Sequence, residues 1–275
     1  MIPITMTGRL SSCVLLSYRT PAAHVRHLVP PPLELVTRGP WAFWNVVACR
    51  VERMRPRGAP RWAGVCYHHV AYRLLVRAPG LGPDGRDLEG LYFVRSDADH
   101  SLITRGGNVA SDFQFHRAEI DLRDETLIGG DLELHVVGRR DPQADATLRV
   151  IPTDNRGPLA PGSPFRTAEQ AAAFLKYRPL GLAANAMHDR LHLAEVFRDE
   201  TLWRETPLRV IESRWRFLES LGQIDLTLER ATLVAPIEYR WRLGRRIQVG
   251  STAAQANAAP TASPSRLAVV GPRRP

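Results

Sequence analysis

The chain has 275 residues and a formal net charge of +9, and 44% of its residues are hydrophobic. This length can bury a substantial core in one large domain or two small ones, and the composition is typical of ordinary soluble globular proteins. No apolar run approaches the roughly 20 residues of a membrane-spanning helix, and the arginines are scattered among apolar and acidic residues, so we expect a cytoplasmic protein that binds neither membrane nor nucleic acid.

Alternation of apolar and polar residues with period 2 dominates the chain and predicts ten strands. In chain order they are Arg9–Tyr18, Trp41–Glu52, Cys66–Arg77, Gly90–Arg95, Phe113–Leu122, Asp131–Val137, Ala146–Ile151, Leu208–Phe217, Ile224–Leu233 and Ile237–Leu243. Short turns rich in Gly, Pro and Asp connect them, which favours antiparallel pairing. Because a sheet of ten strands curls, we predict an α+β fold in which a barrel or cone of strands carries helices on its outside.

Helical signals are few. Pro21–Leu28 and His100–Arg105 are short, the second ending at Gly106-Gly107, and Ala171–Tyr177 follows a capping-box sequence that begins at Thr167. Residues 249–275 are rich in Ala, Pro and Ser and offer too little apolar surface to offset the entropy of ordering. We therefore expect a single domain over residues 1–248 and a disordered tail over residues 249–275.

Lysine and cysteine are both scarce. Lys176 is the only lysine, so a Schiff base with a carbonyl substrate would need it or the N-terminus. Its helix turns Ala171, Phe174 and Leu175 towards the core, which predicts a surface position for Lys176. The three cysteines (Cys13, Cys49 and Cys66) lie in apolar, strand-like runs without paired spacing, which indicates buried, reduced thiols.

Several segments have a familiar order and spacing: Tyr18-Arg19-Thr20, Val29 to Glu34, Gly39-Pro40-Trp41-Ala42, Leu91 to Ser96, Leu102–Arg105 to Phe113, Phe174 to Arg178, and Pro207-Leu208. Together, over about residues 9 to 245, they resemble the acetoacetate decarboxylase-like superfamily, and in particular its uncharacterised branch, domain-of-unknown-function family 2071. The resemblance implies a mainly antiparallel, closed, cone-like β-barrel with a few peripheral helices and one internal ligand pocket.

The chain departs from this family at two places. In the decarboxylases a reactive lysine follows the glycine-containing segment, but the corresponding stretch here, Gly106 to Phe113, has no lysine. Relatives in the uncharacterised branch carry an Asn-x-Arg-Thr-like run where this chain has His68 to Arg73, and their arginine falls on Ala71. We therefore expect no Schiff-base chemistry, and Arg73 or Arg95 in place of the missing arginine.

Polar residues on the predicted strands are the candidates for a ligand site. Arg95 closes a strand, and its planar fork suits a carboxylate. Asp112 and His116 are four apart and would share one face of a strand, whereas the adjacent His68 and His69 would face opposite sides. The predicted ligand-binding residues are Arg73, Arg95, Tyr72, Asp112 and His116, and the predicted acid–base groups are Asp112, His116 and His69.

His188 and His192 have the spacing of a zinc-protease pair, with Asp189 in place of the usual glutamate. Two histidines four apart can share one metal on a helix, where they are about 6 Å apart. The alternation over residues 190–196 predicts a strand, on which this distance is about 13 Å. We therefore predict no metal site and no cofactor.

These observations predict a protein that binds a small organic molecule, such as a carboxylate or an oxo acid, and that could form a homo-oligomer. Two alternatives stay open. One is a lysine-independent lyase or hydratase that acts on an oxo acid by acid–base catalysis. The other is a structural barrel without a ligand.

Overall fold

The computed structural model describes residues 4–154, 157–222 and 225–248. Within these ranges lie fourteen strands and four short α-helices. The strands are β1 (Ile4–Pro21), β2 (Glu34–Leu35), β3 (Trp41–Pro56), β4 (Val65–Ala78), β5 (Leu88–Ala98), β6 (Phe115–Arg117), β7 (Glu119–Asp124), β8 (Leu132–Val137), β9 (Ala146–Pro152), β10 (Leu180–Ala184), β11 (Arg190–Arg198), β12 (Glu205–Trp215), β13 (Thr227–Val234) and β14 (Ile237–Gln248). The helices are α1 (Ala22–Val25), α2 (Ser101–Ala110), α3 (Ala168–Phe174) and α4 (Arg216–Ser220).

Seven strands pair in a ring. Their order is β1, β3, β4, β5, β10, β11 and β14, and β14 pairs again with the first part of β1, from Ile4 to Leu10. The second part of β1, from Cys13 to Arg19, pairs with β13, and the pairing continues from there through β12, β9, β8 and β7. We call these five strands, β13 to β7 in this order, the second run of strands. Only β5–β10 and β5–β6 are parallel, so the predicted α+β fold with mainly antiparallel strands is confirmed.

The central strands of the ring are buried on both faces. On β1, Val14 and Leu16 pack towards the second run of strands, whereas Cys13 and Leu15 belong to a separate cluster on the opposite face. β3 and β4 alternate in the same way. A strand that is covered on both sides has a nearly continuous apolar sequence, and this arrangement gives the ring an interior of its own.

The strand predicted at Phe113–Leu122 is wrong, because the structure divides it into β6 and β7. Gln114 adopts the left-handed region with φ of 49° just before β6. β6 then pairs with β5, whereas β7 pairs with β8. The predicted strand Leu208–Phe217 also ends early, because α4 begins at Arg216. The start of the predicted strand Ile224–Leu233 and the predicted tail at 249–275 lie outside the described residues.

α2 does not end at the glycine pair, as the sequence suggested, but continues to Ala110. A Cβ atom on Gly107 would lie 2.5 Å from the ring of Phe115, so this glycine allows close packing instead of stopping the helix. α3 begins with the predicted cap, since the Thr167 side chain accepts a hydrogen bond from the Gln170 amide. No helix in the described ranges is long and apolar enough to span a membrane.

Candidate functional site

A cavity of about 80 Å³ lies inside the strand ring, and each of the seven ring strands contributes to its wall. This volume has room for several water molecules or for one organic molecule of a few heavy atoms. The wall is largely apolar and aromatic, with Leu15, Val47, Val51, Phe93, Trp203 and Trp241 among its residues. Its polar side chains are Cys13, Cys49, Tyr67, His69, Arg73, Tyr177, Arg198 and Tyr239.

Arg73 carries a buried positive charge into this cavity. The residue is 4% exposed, and its Nη2 donates a hydrogen bond to the side-chain oxygen of Asn45. Its guanidinium lies 5.4 Å from the ring centres of both Phe93 and Tyr177. Burial lowers the pKa of Arg73, but an arginine stays protonated in a protein. Among the described residues, no carboxylate forms an ion pair with it.

Arg198 supplies a second guanidinium to the wall. Its Nε lies 2.8 Å from a carboxylate oxygen of Glu200, and its guanidinium carbon is 3.7 Å from the ring centre of Trp203. The same carbon is 4.6 Å from the ring of Tyr177, so this tyrosine contacts both cavity arginines. Burial raises the pKa of Tyr177, although both positive charges oppose the change. The tyrosine therefore keeps its hydroxyl proton at neutral pH.

His69 lies on the same face of β4 as Arg73 and also lines the cavity. Burial and the charge of Arg73 lower the pKa of His69 to about 3, so the imidazole is neutral. Its Nε2 has no hydrogen-bond partner among the described residues. His68 points to the other side of the strand and binds Asp99 at 2.7 Å, which confirms that the adjacent histidines face opposite sides.

Arg95 does not line the cavity, contrary to the expectation that it points into the interior of the ring. Its Nη2 lies 2.7 Å from carboxylate oxygens of both Asp97 and Asp141. The guanidinium also lies over the Phe217 ring, on the side of the second run of strands. Tyr72 is fully buried on that side as well and packs against Phe217. Neither residue is therefore positioned to bind a ligand in the cavity.

Asp112 and His116 do not share a face either, because the chain breaks its extended conformation at Gln114 between them. Asp112 forms a two-point ion pair with Arg190, at 3.1 and 3.3 Å. The half-exposed His116 lies 3.7 Å from Asp141. Neither residue lines the cavity, so the expected acid–base pair is not assembled.

Lys176 follows α3 at the surface, as predicted. Its side chain is half-exposed, and its Nζ lies 3.4 Å from Glu200.

Cys66 is exposed, although the sequence predicted a buried thiol. It lies near the start of β4, where the register of β3 shifts next to the left-handed Arg53. His192 lies in β11, and His188 lies in the turn before it, so the helix that a shared zinc ion requires is not formed.

Most of the polar wall was not predicted from the sequence. The alternation of side chains along β4 does indicate part of this wall. Tyr67, His69 and Arg73 are separated by even numbers of residues and share one face of β4, whereas Tyr72 is an odd number of residues from each of them and lies on the opposite face. Tyr177 and Arg198 reach the cavity from the segment before β10 and from the end of β11. No local pattern marks them, since their position depends on how distant strands pair.

Comparison with known proteins agrees with this architecture. The sequence profile of family DUF2071, described as an uncharacterized conserved protein, matches residues 7–196. No curated protein matches the chain. Its fold is similar to that of the enduracididine biosynthesis enzyme MppR complexed with the condensation product of pyruvate and imidazole 4-carboxaldehyde, with 13% identity, a TM-score of 0.56, and coverage of 90% of this chain and 89% of that one.

Two further structures are similar. An acetoacetate decarboxylase-like enzyme from Sphingomonas wittichii RW1 has 13% identity and a TM-score of 0.56, with coverage of 89% of this chain and 92% of that one. Acetoacetate decarboxylase from Legionella pneumophila has 14% identity and a TM-score of 0.53, with coverage of 90% and 87%. At such identities the likeness concerns the fold alone. The fold is acetoacetate decarboxylase-like, and the chain belongs to the DUF2071 family.

Proposed function

We propose that this protein binds a small organic carboxylate, such as an oxo acid, in the cavity inside the strand ring, with Arg73 as the anchor for the carboxylate. The observation that carries the proposal is the buried guanidinium of Arg73, which forms no ion pair with a described carboxylate. A buried charge without a counter-ion costs several kcal/mol. A ligand carboxylate would supply the missing charge and match the planar fork of arginine.

The rest of the wall favours a small, partly polar ligand. The rings of Phe93 and Tyr177 restrict the Arg73 guanidinium on its faces, so its N–H groups have a defined direction. The unpaired Nε2 of His69 could bind a second oxygen of the ligand. The similar MppR structure holds a condensation product of pyruvate, which supports an oxo acid as the first class to test.

The proposal includes the shape of the site. We propose that the ring of seven strands is the closed, cone-like barrel of acetoacetate decarboxylase-like proteins and that its interior is the ligand pocket. The return of β14 to β1 supports this, because the pairing then leaves no free edge within the ring. The chain would form this site in a single domain.

Binding would not proceed through an imine. The only lysine, Lys176, pairs with Glu200 and is absent from the described cavity wall. We expect that borohydride added to the protein in the presence of pyruvate leaves the mass of the intact chain unchanged. A reduced pyruvate adduct on Lys176 would contradict this.

Thermal unfolding tests the proposal. We expect pyruvate and other small oxo acids to raise the melting temperature, whereas their uncharged amides do not, because only the acid neutralises Arg73. Arg73→Met should lose the shift. Arg77→Met, an exposed position on the same strand, is the control and should keep it. Equal shifts with acid and amide, or a full shift in Arg73→Met, would disprove the proposal. The comparison of acid with amide needs only the unmodified protein.

A lyase or hydratase is a second candidate function, and the neutral, unpaired imidazole of His69 in the cavity is the observation that favours it. Exchange of the methyl protons of pyruvate with deuterium in D₂O would reveal such chemistry. We then expect His69→Gln to abolish exchange and to retain the melting shift. A protein that shows neither exchange nor any shift would be a structural barrel.

A further inference from the structure

Cys13 and Cys49 form a pair of thiols at the cavity wall. The two residues are direct partners in the antiparallel pairing of β1 with β3, and both side chains line the cavity. They are 3% and 5% exposed, and both are free. Direct antiparallel partners hold their side chains about 5 Å apart. A single ion could therefore bridge the two sulfur atoms.

The surroundings restrict which ion fits. Among the described residues, no cluster of three or more His, Cys, Asp or Glu side chains could hold a metal, so a tetrahedral zinc site is not built here. Besides the two thiols, the polar part of the described wall consists of three tyrosines, one histidine and two arginines, and it includes no carboxylate. Two thiolates without oxygen ligands select a soft ion that accepts linear, two-fold coordination.

Charge selects further among soft ions. Two thiolates around a monovalent cation carry one net negative charge, and Arg73 carries one unpaired positive charge. The electrostatic effect of Arg73 reaches both thiols. Because Arg198 is paired with Glu200, the remaining charges at the cavity then sum to zero, which a buried site favours. A divalent soft cation would leave Arg73 without its counter-charge.

We propose that Cys13 and Cys49 form a two-thiolate site for a monovalent soft cation such as Cu(I) or Ag(I), with Arg73 as its counter-charge. Two thiols and one cation give one anionic bis-thiolate complex and release two protons to solvent, and no electron is transferred. This site does not depend on the proposed function. Because both uses need Arg73, a bound cation and a bound carboxylate would compete.

Silver is a suitable probe because it has a single stable oxidation state in water. The fully reduced protein would be titrated with Ag(I) in chloride-free buffer containing excess glutathione, and bound ions would be counted by native mass spectrometry. Glutathione, a single thiol, removes silver from isolated cysteines such as the exposed Cys66. We expect the unmodified protein and the control Cys66→Ser to retain one ion. Cys13→Ser and Cys49→Ser should each bind at least about 100-fold more weakly, because the advantage of two linked ligands is lost.

Three results would overturn the proposal: no ion retained by the unmodified protein, undiminished binding in Cys13→Ser or Cys49→Ser, or loss of the ion in Cys66→Ser. Melting curves establish that each variant is folded.

Arg73→Met gives a second test that leaves both thiols in place. We expect weaker silver binding in this variant, and unchanged binding would refute the counter-charge role. Competition of silver with pyruvate can be measured separately, so the two proposals fail independently.

Discussion

Arg73 and Arg95 lie on the neighbouring strands β4 and β5, are equally buried, and have opposite surroundings. Burial alone would lower the pKa of Arg95, but Asp97 and Asp141 outweigh it and raise that pKa. At Arg73 no carboxylate of the described ranges compensates, and burial lowers the pKa. Arg95 is therefore a fully paired part of the packing between the two runs of strands, whereas Arg73 retains a charge that a ligand can satisfy.

This contrast predicts different effects on stability. Arg95→Met should lower the free energy of unfolding by about 3–5 kcal/mol, because it leaves the buried Asp97 without its partner. Arg73→Met removes an uncompensated charge and should leave stability nearly unchanged or increase it. Urea unfolding followed by circular dichroism measures both. Equal destabilisation by the two substitutions would show that Arg73 has a structural role instead.

The contact of α2 with β6 depends on one of two adjacent glycines. The side-chain amide of Asn108 bonds both backbone groups of Phe115, at 2.7 and 2.9 Å, and fixes this residue under the helix. A Cβ on Gly107 would collide with the Phe115 ring, whereas one on Gly106 would meet no atom within 4 Å. Substitution of Gly107 therefore tests the packing of α2 on Phe115, and the same substitution at Gly106 is its control.

Gly107→Ala should destabilise the protein by about 1–3 kcal/mol, the usual effect of overpacking. Gly106→Ala should stabilise it by about 0.5–1 kcal/mol, because alanine restricts the unfolded chain. Thermal unfolding of the two variants side by side is sufficient. A stabilised Gly107→Ala variant would mean that α2 does not pack closely on Phe115.

His68 joins β4 to the turn between β5 and α2 through Asp99, whose carboxylate binds the ring and the backbone amide of His68. Burial raises the pKa of Asp99, but these hydrogen bonds outweigh it and lower the pKa below 3.8. The bond therefore stabilises the fold above the pKa of Asp99 in the unfolded chain, and this contribution is lost as the pH falls through the folded value.

Asp99→Asn should accordingly be less stable than the unmodified protein at pH 7, and the difference should shrink below about pH 4. Melting temperatures of both proteins across this range provide the measurement. His68→Asn at the same pH values is a matched partner variant. A difference that does not change with pH would indicate that the Asp99 carboxylate is not the stabilising group.

At the scale of the whole molecule, the closure of the ring sets β14 apart from strands at a sheet edge. Between Tyr239 and Leu243, β14 pairs with β1 on one side and with β11 on the other. Among the described strands, β7 pairs with β8 alone. All seven ring strands contribute side chains to the cavity wall, so in the proposed closed barrel the pairing of β14 with β1 would bring these distant side chains into one site.

Amide hydrogen exchange tests the closure. Consecutive amides of β14 over residues 239–243 should exchange slowly, because both sides of the strand are hydrogen-bonded. In β7, every second amide should exchange quickly, because no described strand pairs with the outer side of β7. Alternating protection in β14 would show that the ring is open there.

Local patterns in the sequence account for much of the fold and for a smaller part of the site. Alternation predicts most of the long strands, and parity on β4 accounts for Arg73 and His69. The break at Gln114 and the pairing of Arg95 with Asp141 depend on contacts between segments distant in sequence. No local pattern encodes such contacts, which is why the sequence did not predict that Arg95, Asp112 and His116 lie outside the cavity wall.

A crystal structure of the protein grown with pyruvate tests the central claim most directly. We predict pyruvate inside the ring, with its carboxylate hydrogen-bonded to the guanidinium of Arg73 and with Lys176 remaining at the surface. Pyruvate bound only outside the ring, or Arg73 paired with a carboxylate of the protein itself, would contradict the account.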